Sequence, residues 1–133
     1  MSYIVLDTDV TSLSFKQLLP AALFARLVGR PTCITFVTFG ELTQWGVMGR
    51  WGSRRRAALA QQLAHLPILP GDREVAETWG RMSAAAKMRG RPRPQNDTWI
   101  AACCLAYGLP LATRNVKDFE DFAKHEGLII ISA

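Results

Sequence analysis

The chain has 133 residues, of which 49% are hydrophobic and 20% charged. That is room for a single domain spanning 1–133 with a packed core, and it excludes a disordered polypeptide. No apolar run reaches the ~18 residues that cross a bilayer. The N-terminus, Met1-Ser2-Tyr3-Ile4-Val5-Leu6-Asp7, lacks the basic start and longer apolar stretch of a signal peptide. A soluble, cytoplasmic protein is expected.

Taken in chain order, Tyr3 to Leu6 is a short apolar run with β-branched and aromatic members, which predicts a buried strand. Thr11 to Gly29 is helical in pattern but divided at Pro20, so a second helix is expected over Pro20 to Val28. Cys33 to Val37 predicts the second strand, and Thr38 to about Met48 a helix. Arg54 to Leu66 carries Leu59, Leu63 and Leu66 as one apolar stripe. Pro67 to Pro70 is an extended link suited to an edge strand. Asp72 to Lys87 is the longest predicted helix, with Val75, Trp79 and Met82 along one side. A basic, proline-punctuated loop follows from Gly90 to Pro94. Asp97 to Tyr107 is helical, Pro110 to Thr113 a strand, Asn115 to His125 a short helix, and Leu128 to Ile131 the last strand. Strands alternating with helices predict an α/β layered fold with a mainly parallel central sheet flanked by helices.

The net charge is +5, and 12 of the 16 basic residues are arginine. Two clusters stand out: Arg50, Arg54, Arg55 and Arg56, then Lys87, Arg89, Arg91 and Arg93. Guanidinium forks match phosphate oxygens, so such clusters suit a nucleic-acid backbone; solvated helix faces or docking to an acidic protein would use the same residues. Cys33, Cys103 and Cys104 form no CxxC pair, and His65 and His125 are the only histidines. That is a poor set for zinc or for a disulfide framework.

The 11 acidic residues are few enough for position to carry meaning. Asp7 follows the first predicted strand, Glu41 the second, and Asp118 the strand ending at Thr113. Asp97 opens the helix after the basic loop, on the face shared with Ile100, Ala101 and Cys104. Ligands gather at the carboxyl ends of parallel strands. Each acid also has a local explanation. Thr38-x-x-Glu41 has the form of a capping box and Asn115-x-x-Asp118 resembles one; Asn96-Asp97 suits a helix cap, and Asp7 an Asx-turn. Four converging carboxylates would nevertheless repel. At ~5 Å and an effective dielectric of 20, each pair costs roughly 3 kcal/mol, and several pairs approach a domain's whole stability. Such a cluster must be protonated or hold a cation, and hard oxygen donors suit Mg²⁺ or Mn²⁺. A divalent ion there can activate water and stabilise charge on a phosphodiester. No phosphate-binding GxxxxGK loop and no GxSxG elbow competes with this arrangement. Gly49-Arg50-Trp51-Gly52 has GxxG form but not the strand and helix context that gives such a loop meaning.

Four ordered segments carry a family likeness: Ile4-Val5-Leu6-Asp7-Thr8-Asp9, Thr38-Phe39-Gly40-Glu41-Leu42, Asn96 to Ala102, and Gly108 to Phe119 with Thr113-Arg114-Asn115 and Asp118 inside it. With these the chain resembles PIN-domain ribonucleases, in particular the VapC-type toxins of toxin–antitoxin pairs. The resemblance implies a PIN-like three-layer fold and a metal-dependent endoribonuclease acting on structured RNA such as tRNA or rRNA. It implies that Asp7, Glu41, Asp97 and Asp118 are the catalytic acids holding Mg²⁺ or Mn²⁺, with Thr113 and Asn115 lining the pocket. It also implies a homodimer and a small cognate antitoxin as partners. Asp9 stands where many relatives carry asparagine, either adding charge near the metal or pointing away as a helix cap. Asp121, one helical turn after Asp118, is a second ambiguity that the strand-end position resolves in favour of Asp118.

Two other readings remain. One is a non-catalytic binding module for nucleic acid or protein, its acids serving as helix caps. The other is a receiver-like phosphoacceptor domain, disfavoured by Asp7-Thr8-Asp9 and by the lack of a lysine after Ile131. Trp45 and Trp51, among Gly46, Gly49 and Gly52, are expected to contribute to a dimer or antitoxin surface.

Overall fold

The first strand, β1 (Ile4–Leu6), is wholly buried and is flanked on both sides by parallel partners. The computed structural model describes residues 2–49 and 51–132. After β1 come α1 (Thr8–Phe15), α2 (Ala21–Leu27), β2 (Thr32–Thr35), α3 (Phe36–Met48), α4 (Ser53–Leu63), β3 (Ile68–Leu69), α5 (Arg73–Met88), α6 (Gln95–Tyr107), β4 (Leu111–Ala112), α7 (Val116–Glu126) and β5 (Ile130–Ile131). The five strands make one parallel sheet in the order β3-β2-β1-β4-β5. Pro67 to Pro70 thus does supply an edge strand, β3.

Alternation along the strands divides the core into two sides, as the period of two requires. Val5, Cys33 and Leu111 face a cluster with Val75, Met82 and the Ile100–Cys104 stretch, so α5 and α6, with Phe119 and Phe122 of α7, cover that side. Ile4, Leu6, Ile34 and Ala112 face the other cluster, with Val10, Leu23, Leu27, Leu59 and Leu63 from α1, α2 and α4. The result is the three-layer α/β arrangement that alternating strands and helices predict. Trp79 and Trp99 stack at 4.7 Å between α5 and α6, and Phe36 meets Trp99 edge-on at 5.7 Å. These two tryptophans are half-buried and pack against that core cluster.

Several boundaries differ from the sequence-based ones, and one difference bears on the site. The strand predicted to run to Val37 ends at Thr35, and α3 begins at Phe36. Thr35 is extended, and its hydroxyl accepts the Thr38 amide at 3.2 Å. Thr35 is therefore the N-cap, Thr38 is not, and Glu41 lies in the second turn rather than the first. A side-chain cap outweighs the β-propensity of Phe36-Val37. Likewise α1 begins at Thr8 rather than Thr11, because Asp7 caps it. Helix α6 begins two residues before Asp97, behind Pro94. Helix α4 stops at Leu63, and Leu66 closes a tight turn onto the Leu63 carbonyl.

Strand order places the chemistry. The chain moves outward from β1 through β2 to β3, then returns to the opposite side of β1 for β4 and β5. The order reverses between β1 and β4. That is the switch point of an open α/β sheet, where a crevice opens beyond the strand carboxyl ends. Asp7 directly follows β1, and Thr113 directly follows β4.

Candidate active site

Asp7 is only 4% exposed and is the best-held acid of the crevice. One carboxylate oxygen, Oδ1, accepts the Val10 amide at 2.7 Å, which caps α1. The other, Oδ2, accepts the Thr113 hydroxyl at 2.5 Å. The Thr113 oxygen in turn accepts the Asn115 amide at 2.9 Å. A hydroxyl has one proton, so this second contact turns the Thr113 proton towards Asp7. Burial nevertheless pushes the Asp7 carboxyl up to about 6, with the Asp9 charge adding; the bonds from Thr113 and Val10 and the Arg114 charge oppose the rise.

Glu41 reaches the crevice from α3 and is partly buried. It accepts the Thr8 hydroxyl at Oε1, 2.6 Å, and the Asn96 amide nitrogen at Oε2, 3.3 Å. Thr8 and Thr38 hydroxyls are also paired at 2.9 Å. With the Thr8 proton on Glu41, Thr38 is the donor of that pair. Thr8, Thr38 and Asn96 thus position Glu41. The capping box read for Thr38-x-x-Glu41 and the cap read for Asn96 are both replaced by this network. The adjacency of Thr8 to Asp7 was the one sequence signal pointing to it.

Asp97 stands in the first turn of α6 and Asp118 in the first turn of α7. Burial again raises the Asp97 carboxyl to about 6, with the charges of Asp118, Glu41 and Asp7 adding and that of Arg93 opposing. The mutual repulsion expected from the sequence is therefore present. Asp7, Glu41, Asp97 and Asp118 line one pocket of about 220 Å³, together with Thr8, Asp9, Trp45, Ile100, Asn115 and Phe119. Thr113 stands behind the pocket wall, in contact with Asp7, and is not itself a lining residue. Among the described residues no three carboxylate, histidine or cysteine side chains form a closed metal-binding group. The four acids share the pocket without forming such a group.

The two ambiguous acids separate. Asp9 lies at the pocket rim and accepts the Arg114 Nε at 2.9 Å, so its charge is paired. Asp121 lies away from the pocket. It is buried against Arg89 at 3.2 Å, Arg91 at 3.9 Å and His125 at 3.8 Å. Burial alone would raise its carboxyl, but the Arg89 hydrogen bond and the charges of His125, Arg89 and Arg91 hold it below its ordinary value. The second basic cluster is thus partly structural. In the first cluster Arg54 to Arg56 are exposed on α4, and Arg50 lies outside the described residues. The three thiols are buried, which raises Cys33 to about 11 and Cys103 to about 12 and pushes Cys104 well above its ordinary value, so none offers a thiolate.

A PIN-domain family model matches residues 2–125. Ribonuclease VapC5 of Mycobacterium tuberculosis is 33% identical over 128 residues, covering 92% of this chain and 87% of that protein. Ribonuclease VapC1 of Haemophilus influenzae is 29% identical over 91 residues. That match spans 65% of each protein, just under two thirds of the relative's length. The crystal structure of VapBC-5 from Mycobacterium tuberculosis, a member of the VapBC family of toxin–antitoxin systems, superposes with a TM-score of 0.74 at 29% identity over all of both chains. The chain belongs to the PIN-domain family and is a VapC-type member of it.

Proposed function

We propose that the protein is a metal-dependent endoribonuclease, the toxin of a toxin–antitoxin pair, hydrolysing phosphodiester bonds of structured RNA such as tRNA or rRNA in the cytoplasm. The observation that carries this reading is the set of four acids sharing one pocket at the β1/β4 switch point, two of them raised to about 6. Such crowding favours either protonation or a cation. The donor set is all oxygen, since the thiols are buried and His125 faces Asp121. Its chemistry suits Mg²⁺ or Mn²⁺, which Asp7, Glu41, Asp97 and Asp118 would hold directly or through water, since no three of them form a closed group. The bound ion would supply Lewis-acid stabilisation of phosphate charge and a more acidic water.

The chain's own residues orient the acids for that work. Thr113 and Asn115 keep the Asp7 oxygens aimed, and Thr8 with Asn96 does the same for Glu41. Asp97 and Asp118 accept no comparable hydrogen bond among the described residues, so their oxygens are left for the ion and its water. The capping-only reading is the weaker one: of the four acids, Asp7 alone caps a helix through its side chain. A cognate antitoxin, supported by the VapC-type relatives and the related VapBC structure, completes the proposal, together with a homodimer that the family resemblance implies. No helix of the described residues is long and apolar enough to cross a membrane.

The test is cleavage of total RNA by purified protein in Mg²⁺ or Mn²⁺, beside Asp97→Ala with unchanged circular dichroism. Cleavage by the parent and a loss of at least about 100-fold in the variant are expected, on the scale of removing a key electrostatic group from an active site. Equal cutting by both proteins would overturn the site assignment.

A further inference from the structure

Trp45 belongs to two cavities at once. It lines the acid pocket with Glu41, one helical turn earlier on α3, and it lines the adjoining open cleft of about 560 Å³ with Gln44, Met48, Gly49 and Trp51. Positions four apart share a helix face, which places the indole on the side of α3 that carries Glu41 into the pocket. It is 40% exposed, unlike the stacked, half-buried pair Trp79 and Trp99.

The far wall of the cleft is built by close approach. Trp51 folds back over the end of α3, where a Cβ on Gly49 would lie 3.0 Å from its indole nitrogen and 2.7 Å from the Trp45 carbonyl. Phe15 stacks against Trp51 at 6.4 Å, and the Arg55 guanidinium sits 4.1 Å from its ring centroid. Exposed Arg54 and Arg56 flank Arg55. From the acids the surface runs past the exposed Trp45 indole and through the cleft to Trp51, and Arg55 is held on that second indole just outside the cleft lining. An exposed aromatic face in a cleft with arginines gathered at its far edge suits a single nucleic-acid strand, whose bases stack while its phosphates pair.

We infer that this cleft holds the RNA strand next to the scissile phosphate, with the Trp45 indole stacking the adjacent nucleobase. The assignment rests on the nuclease reading above and deepens it by naming the residue that grips the substrate beside the cut. The Arg55–Trp51 pair anchors the backbone further along. The charge and the continuity with the acid pocket favour RNA over a second protein copy as occupant.

The experiment uses Trp45→Ala and Trp45→Phe, each also in an Asp97→Ala background where binding is read without cleavage. Fluorescence anisotropy compares a short labelled single-stranded RNA with the same backbone lacking bases. Stacking predicts that Trp45→Ala weakens binding of the base-bearing strand about tenfold and leaves the abasic strand nearly unchanged. Trp45→Phe should retain most of the affinity, and cleavage by Trp45→Ala should show a raised KM with a smaller change in kcat. Equal losses on both strands, or none, would overturn the assignment. So would a fall in molar mass of Trp45→Ala by light scattering with RNA affinity intact, which would make the surface a contact between copies. If the parent cuts no RNA in either metal but Trp45→Ala still loses base-dependent binding, the nuclease reading fails and the stacking role stands.

Discussion

The Thr113 hydroxyl, the first side chain beyond β4, donates to Asp7, the first beyond β1, at 2.5 Å. One hydrogen bond thus ties together the two strands between which the sheet order reverses. Because it favours the ionised carboxyl, Thr113→Val removes a brake on the upward shift of Asp7. A hydrogen bond to a charged group contributes roughly 1.5–3 kcal/mol, so cleavage at neutral pH is expected to fall at least about tenfold. Thr113→Ser should keep most of the activity, since it retains the donor. If Thr113→Val cuts RNA at the parent rate, the bond does not position Asp7.

Asp7 also sets a sign for stability against pH. Its carboxyl is near 6 in the folded protein against an ordinary value of 3.8. Between those values the folded state holds a proton that the unfolded chain has released. The stabilisation is complete below about 3.8 and is lost as pH rises through about 6. That difference corresponds to roughly 3 kcal/mol for this one buried group. The melting temperature of the metal-free protein should therefore fall between pH 5 and 7. Asp7→Asn should flatten that fall and raise the melting temperature at pH 7. Mn²⁺ should raise the parent's melting temperature at pH 7 and leave the variant's little changed, because a ligand that binds the folded state stabilises it. Parallel melting curves for parent and variant across this range would show that the burial of Asp7 carries no such penalty.

What the sequence disclosed about the site follows the range of the interactions involved. Asp7, Asp97 and Asp118 stand at a strand end or in a first helical turn, and the alternation of elements is visible locally, so their convergence on one edge could be argued from the chain alone. Glu41 also converges, but its surroundings are not legible in its sequence neighbours. Thr38 and Asn96 look like caps because capping is a relation over three residues. Their actual partners are Thr8, 30 positions from Thr38, and Glu41, 55 positions from Asn96. The β-branched run through Val37 hid the cap at Thr35 for the same reason: propensity is read from neighbours, while the strand end is set by the sheet. The switch point itself depends on strand order, which no local pattern reports.

Thr8 gives the corresponding test for Glu41. Thr8→Val keeps the shape of the side chain but removes the 2.6 Å bond to Oε1 and the acceptor for Thr38. A stability cost of about 1–3 kcal/mol is expected for the buried hydroxyl left without a partner. Cleavage should fall further than Asn96→Ala causes, since the Asn96 contact is longer at 3.3 Å and exposed. Thr8→Ser should recover both stability and cleavage. Denaturant unfolding and initial cleavage rates on one RNA substrate separate the two effects. If Asn96→Ala costs more activity than Thr8→Val, Glu41 is positioned from the other side.

Asp121 supplies the opposite case, an acid whose work is structural. It draws Arg89 and Arg91 from the end of α5 and the following loop, and His125 from its own helix, around one buried carboxylate. Removing the charge weakens the Arg89 hydrogen bond and takes away the counter-charge of Arg91, and a hydrogen bond to a charged group contributes roughly 1.5–3 kcal/mol. Asp121→Asn should therefore lower the melting temperature by several degrees at pH 7. Its carboxyl lies below the ordinary value in the folded state, so this contribution is present above that value and disappears as the pH falls through the folded-state one. The gap between parent and variant should accordingly close in strong acid. RNA cleavage by the folded variant, assayed well below its melting temperature, should match the parent. A loss of cleavage without a loss of stability would instead mean that Arg89 and Arg91, held in place by Asp121, meet the RNA themselves.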